Sequence, residues 1–161
     1  GVPSTIFVRV TANTYNLFDH RTLPLIQRAR NAGHELGLHT NFVEFAKLHG
    51  DAPLTVLKAE LTALRAFFPM IRSIACHRDY NFIFNSLPWL EENWDFVSKT
   101  FDLTYQAYEK QIMDNVIYVN ETVTPRLGWR NMSPEMAMMT GQSICMSTHP
   151  HWWFAEHPFE V

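Results

Sequence analysis

Gly33-His34-Glu35-Leu36-Gly37-Leu38-His39 puts the stop of a helix and a short strand back to back. Gly33 suits the left-handed conformation that ends a helix, and the residues from Glu35 to His39 alternate as a strand does. Because strand side chains point to opposite faces in turn, Leu36 and Leu38 share one face while Glu35, Gly37 and His39 share the other. The same alternation recurs in three more runs. Thr5 to Val10 sets Ile6, Val8 and Val10 against Thr5, Phe7 and Arg9; Ser73 to His77 sets Ile74 and Cys76 against Ser73, Ala75 and His77. Ile144 to Thr148 sets Ile144 and Met146 against Cys145 and Ser147, with His149 continuing the second set. Each strand is thus predicted to have an aliphatic face for packing under helices and a smaller, more polar face that ends in a histidine or arginine.

Helical segments lie between these runs. Thr22 as cap, Pro24 in the first turn and Leu25, Ile26, Ala29 and Ala32 at helical spacing predict a helix up to Gly33. The clearest helix runs from Asp51 as cap, through Pro53, with Leu54, Leu57, Leu61, Leu64 and Phe68 on one stripe before Pro69, and Lys58, Glu60 and Arg65 on the opposite face. Ser86-Leu87-Pro88 opens a short helix bearing Trp89, Leu90 and Trp94, and Ser133-Pro134-Glu135 opens another. Phe101 to Tyr105 and Val116 to Val119 are weaker strand candidates. Alternating strands and helices predict an α/β fold with parallel strands and right-handed crossovers, either an open doubly wound sheet or an incomplete (β/α) barrel.

Composition bounds the function. The chain has 161 residues, 47% apolar and 18% charged, and a net charge of -3 from 13 basic and 16 acidic side chains, which suits a single domain over 1–161. A complete eight-fold barrel typically takes roughly 250 residues, so a fragment is expected, with a strand missing before Thr5. Without a basic face, nucleic acid is excluded as an expected partner. No apolar run approaches the roughly 18 residues of a membrane span. The N-terminus lacks the basic-then-apolar leader pattern, which favours a cytoplasmic over a secreted chain. Cys76 and Cys145 read as free core thiols, and Met132, Met136, Met138 and Met139 as adaptable core filler. No phosphate-binding glycine loop or nucleophile elbow is present.

The polar strand ends are the candidate site, because in β/α architectures ligands bind at the C-terminal edge of the strands. His39, His77, His149 and Arg9 form the convergent set. A lone histidine is ordinarily a satisfied structural residue, and His34, His20, His49 and His157 are read that way. Trp152 and Trp153, with Trp129, offer flat faces on which a sugar ring can stack, or else pack at the rim.

Four segments in order resemble the polysaccharide deacetylases, the NodB-homology hydrolases of the carbohydrate esterase family 4 type. Gly33-His34-Glu35-Leu36-Gly37-Leu38-His39-Thr40 is similar to that family's Gly-His-Glu-Ile-Gly-x-His-Ser/Thr segment, and Cys76-His77-Arg78 to its strand-end arginine motif. Tyr118-Val119-Asn120-Glu121-Thr122 with Trp129-Arg130, and Thr148-His149-Pro150-His151-Trp152-Trp153, resemble the later motifs of a divergent branch. The resemblance implies a distorted, incomplete (β/α) barrel and a divalent metal, usually zinc, that assists removal of an N-acetyl group from an amino sugar or glycan. It makes His39 a metal ligand, His149 the general acid and Arg78 the residue that orients the catalytic carboxylate, with Glu121 in place of the middle motif's aspartate. Substrate contacts are expected from Trp152, Trp153, Trp129 and Arg9.

Three positions depart from the family. The paired aspartates would lie on a strand before Thr5, the position of the second metal histidine is Val43, and Asp79 replaces a proline after Arg78. The metal site is therefore expected to be rebuilt from His39, His77 and His149, with a catalytically silent carbohydrate-binding relative as the alternative, and another metal-dependent barrel enzyme acting on sugars or phosphate esters as a third.

Overall fold

The structure is a computed structural model that describes residues 3–12, 15–77, 85–121, 129–130 and 132–148. Two compact units divide the chain, Gly1–Ala107 and Tyr108–Val161.

The first unit holds four parallel strands, β1 (Thr5–Val8), β2 (Glu35–Thr40), β3 (Ser73–Cys76) and β4 (Tyr105–Gln106), in the spatial order β1-β2-β3-β4. Their connections carry α1 (Thr22–Asn31), α2 (Phe42–His49), α3 (Pro53–Phe67) and α4 (Ser86–Phe101). A doubly wound sheet reverses its strand order at a switch point; here the order within the unit follows the sequence. The aliphatic strand faces join one core with α2, α3 and α4: Leu38, Ile74, Phe42, Leu57, Leu64, Leu90 and Val97 are fully buried in it. Half-buried Leu23 and Ile26 of α1 pack against that cluster.

Several elements differ from expectation for local reasons. The helix α2 was not expected from its eight residues; Phe42, Val43 and Ala46 bury one side, and Gly50 stops it at a φ of 73°. The apolar stripe of α3 is as predicted, but Ala52 caps it without a side-chain bond, and Asp51 plays no capping part. Likewise Arg21 rather than Thr22 caps α1, its amide bonded at 2.9 Å to Asp19 Oδ1, and Leu25 is 53% exposed. The helix at Ser86 is not short: it runs sixteen residues to Phe101, so the strand expected from Phe101 shrinks to Tyr105–Gln106. Asn85 accepts the Leu87 amide at its start, and at its end the Arg65 guanidinium donates to the Phe101 carbonyl at 2.6 Å. Arg65 also donates to the Ile71 carbonyl, so this side chain is a clamp between helices rather than a solvent-facing charge.

The polar face has two levels. At the N-terminal edge the Glu35 carboxylate accepts from Ser73 Oγ at 2.6 Å, Tyr105 Oη at 2.7 Å and Thr5 Oγ1 at 2.9 Å, joining all four strands. Burial above all, helped by the hydrogen bond to Glu35 and its charge, holds the Tyr105 phenol above its usual range against the lowering bonds from Thr5 and Ser73, which keeps it a donor. Above this clasp the Phe7 ring crosses Gly37, where a Cβ would meet ring carbons at 2.5 Å and Ser73 Oγ at 2.7 Å.

The second unit contains α5 (Lys110–Met113), β5 (Ile117–Glu121), β6 (Trp129–Arg130), α6 (Pro134–Met138) and β7 (Ile144–Ser147). Its sheet runs β6-β5-β7, with β7 parallel and β6 antiparallel to β5. Ser133 caps α6 by accepting the Met136 amide, and Val119 and Ala137 are buried. Met136, Met138 and Met139 are exposed, so these methionines are surface and not core filler: only Ala137 of so short a helix turns inward. Met146, assigned by alternation to the covered face of β7, is 54% exposed. Cys76 is buried, whereas Cys145 is only half-buried, so the expectation of two core thiols holds for the first. No helix among the described residues is long and apolar enough to cross a membrane.

Gly37→Ala is expected to destabilise the protein by about 1–3 kcal/mol, since the added methyl has to displace an aromatic ring and a bonded hydroxyl. Denaturant unfolding measures it; a midpoint within error of the parent would refute the close approach of Phe7.

Candidate functional site

His39 lies at the penultimate position of β2 and His77 directly follows β3. The parallel register pairs His39 with Ala75 and Thr40 with Cys76, and the His77 amide extends the ladder by donating to the Thr40 carbonyl at 2.6 Å. Both imidazoles therefore stand on the polar face at the C-terminal edge, where alternation placed them. His39 Nδ1 donates to the Ala75 carbonyl at 3.0 Å; in the neutral ring its Nε2 is then an acceptor, to which His77 Nδ1 donates at 3.0 Å. The rings meet edge to face with centroids 5.0 Å apart.

Such a pair has the chemistry of half a metal site. Two imidazole nitrogens on one tetrahedral zinc, each at about 2.0–2.1 Å, lie about 3.3 Å apart, close to the separation seen here. A backbone carbonyl holding the far ring nitrogen is the usual device for orienting a ligating histidine. Among the described residues no third histidine, cysteine, aspartate or glutamate completes a group of three.

Comparison with family models, curated proteins and solved structures finds no match. The site is accordingly read from its own geometry.

Beside the imidazoles, Arg9 follows β1 and donates from Nη2 to Asn41 Oδ1 at 3.2 Å. Asn41 and Thr40 were not expected as site residues, and neither was Glu60, placed by its charge on the outer face of α3. Glu60 is 3% exposed. Its carboxylate accepts from Thr40 Oγ1 and, at 3.1 Å, from Thr11 Oγ1, while Thr40 Oγ1 accepts the Phe42 amide at 3.1 Å. One buried acid thus ties α3 to the connection that leaves β1 and to the last residue of β2. Burial raises its pKa above the usual carboxylate value, against the lowering effect of the Thr40 and Thr11 hydroxyls and of the Arg9 charge. Its position was readable: Glu60 follows Leu57 by three residues and Val56 by four, on the buried stripe itself.

Val43 is core, 5% exposed, and its amide donates to Ser86 Oγ at 3.1 Å. The second-histidine position of the resemblance is therefore given over to packing. Burial drives the thiol of Cys76, on the covered face of β3, up to about 12, so it stays protonated there. A concavity of about 460 Å³ between α3 and α4, lined by residues including Leu54, Lys58 and Phe101, does not include the imidazole pair.

In the second unit, Glu121 and Trp129 are partners in the β5–β6 register. Asn120, which pairs with Ser147 across β5 and β7, keeps a buried Oδ1 with no hydrogen-bond donor among the described residues. Arg78, Asp79, His149, Trp152 and Trp153 lie outside the described residues.

Glu60→Ala strands two threonine hydroxyls and is expected to cost about 1–3 kcal/mol. Glu60→Gln keeps hydrogen-bonding capacity, which gives a sharper test. Because the folded pKa is raised, the native state holds the proton longer than the unfolded chain, so wild-type stability falls as pH rises from the unfolded carboxylate value through the folded one. Stability relative to Glu60→Gln should decline over that window; a pH-independent difference in urea unfolding refutes it.

Proposed function

We propose that the protein is a metal-dependent hydrolase of the polysaccharide deacetylase type, its first unit part of a distorted (β/α) barrel, which removes an N-acetyl group from an amino sugar or glycan. The observation that carries this reading is the His77–His39 bond of 3.0 Å at the C-terminal edge of a sequentially ordered parallel sheet. The ordered sequence motifs support it independently.

His39 Nε2 and His77 Nδ1 would hold the ion, with the Ala75 carbonyl fixing the first ring and the Thr40 carbonyl fixing the backbone of the second. A divalent metal, zinc by preference for imidazole nitrogen, would supply Lewis-acid polarisation of the amide carbonyl and a lowered pKa for water. His149 is assigned to protonate the departing amine, Arg78 to orient a carboxylate, Glu121 to the role of the middle-motif acid, and Trp129, Trp152 and Trp153 to stack on the sugar. Arg9, positioned by Asn41, contacts substrate at the end of β1.

The buried Val43 gives weight to a second reading, a carbohydrate-binding relative without catalysis. Calorimetric titration with zinc separates the two. Tight binding is expected, lowered in His39→Ala and in His77→Ala by at least the roughly 10–100-fold that loss of an outer-shell partner costs, together with chelator-sensitive acetate release from N-acetylated sugars. Glycan affinity that is indifferent to chelator, with no zinc bound and no acetate released, would replace the hydrolase with the binding module.

A further inference from the structure

Glu60 is an acid where the packing pattern calls for an aliphatic side chain. It belongs to the buried side of α3 with Val56, Leu57, Leu61 and Leu64, and a leucine there would complete the stripe without the penalty of a desolvated carboxyl. What a carboxylate offers instead is two acceptor oxygens and no donor. Both are in use, one by Thr11 Oγ1 at 3.1 Å and the other by Thr40 Oγ1.

The two threonines differ in what depends on them. Thr40, the last residue of β2, is fully buried, and its Oγ1 also accepts the Phe42 amide at 3.1 Å, which fixes the turn from the strand into α2. Its carbonyl accepts the His77 amide at 2.6 Å, one residue beyond the last paired residue of β3. Thr40 is thus held by α3 through its hydroxyl and holds His77 through its carbonyl. His39 stands one residue earlier, with its ring on the opposite face. Thr11, on the connection after β1, bonds neither histidine among the described residues.

We propose that Glu60 is a positioning residue for the His39–His77 pair, holding Thr40 from behind the sheet so that the two imidazoles keep their contact of 3.0 Å. That the pair takes a metal rests on the function proposed above; the grip on its geometry does not. Loss of the carboxylate frees the Thr40 hydroxyl to turn, and with it the peptide that carries the His77 bond. A glutamine at the same place has one acceptor oxygen and one donor nitrogen. Its oxygen goes to Thr40, whose hydroxyl already accepts the Phe42 amide and still has a proton to place, while Thr11 can rotate to accept the amide N–H. Glu60→Gln therefore keeps the pair in position, and Glu60→Leu does not.

Ring nitrogen chemical shifts of His39 and His77 in the metal-free full chain, at one pH above the ordinary histidine pKa, test this alongside zinc calorimetry. Glu60→Leu and Thr40→Val remove the same bond from its two ends. Both are expected to shift the ring resonances and to weaken zinc binding at least about tenfold, as loss of an outer-shell partner does. Glu60→Gln and Thr11→Val are expected to leave resonances and affinity at the parent values. A folded Glu60→Leu or Thr40→Val with the parent's ring resonances overturns the proposal. So does an equal displacement in Glu60→Gln or Thr11→Val, which marks a general loosening and no particular grip on Thr40. Should Glu60→Leu fail to fold, Thr40→Val decides. A parent chain that binds no zinc removes the metal-site reading, and the ring resonances then decide the positioning role by themselves.

Discussion

The hydrogen bond from His77 to His39 depends on strand register before it depends on either ring. Parallel pairing of β2 with β3 aligns His39 with Ala75, and the next ladder bond, from the His77 amide to the Thr40 carbonyl, carries the second histidine to the level of the first. A slip of one residue would turn both imidazoles to the aliphatic face and both leucines of β2 to the polar one. The core forbids that slip, since Leu36, Leu38 and Ile74 are buried under the helices. Packing on one face of the sheet therefore fixes chemistry on the other.

Glu60 shows the cost of holding such an edge in place. A carboxyl under a helical layer is expensive to desolvate, and here burial outweighs the hydroxyls and the Arg9 charge that favour its ionised form. In exchange the connection leaving β1 and the end of β2 share one anchor, through Thr11 and Thr40. Arg9 and Asn41 directly follow those two strands. Their mutual position is thus set by an acid behind the sheet rather than by the imidazoles in front of it.

Much of this was legible in the sequence where periodicity is strong. The strand faces of β1, β2 and β3, the stripe of α3 and the convergence of His39 with His77 follow from spacing alone, because a period of two or of 3.6 residues translates directly into sides. What escaped was set by tertiary context. The helix α2 is too short for periodicity to stand out, although Gly50 marks its end. Glu60 was assigned by charge when its spacing from Leu57 already placed it inward. Capping at Asp51 and Thr22 failed by one residue in each case, because the helices begin so that Ala52 and Arg21 stand at the cap positions, a boundary that propensity does not encode. In the second unit, exposure of Met146 breaks an alternation that holds elsewhere.

The segment from Gly33 to Thr40 contributes polar residues to both edges of the sheet, and the two edges differ in saturation. At the lower edge three hydroxyls surround Glu35, each within hydrogen-bond distance, and four strands are joined in the process. That carboxylate has structural work and little capacity left for a ligand. At the upper edge the inventory is nitrogen-rich, with a hydrogen-bonded imidazole pair and, from the end of β1, the Arg9 guanidinium bonded to Asn41. Phe7 over Gly37 lies between the two levels. A glycine at that point lets an aromatic ring separate the clasp that closes the sheet from the imidazole pair. The same short strand thus carries a hydroxyl-saturated carboxylate at one end and an imidazole bonded to its neighbour at the other.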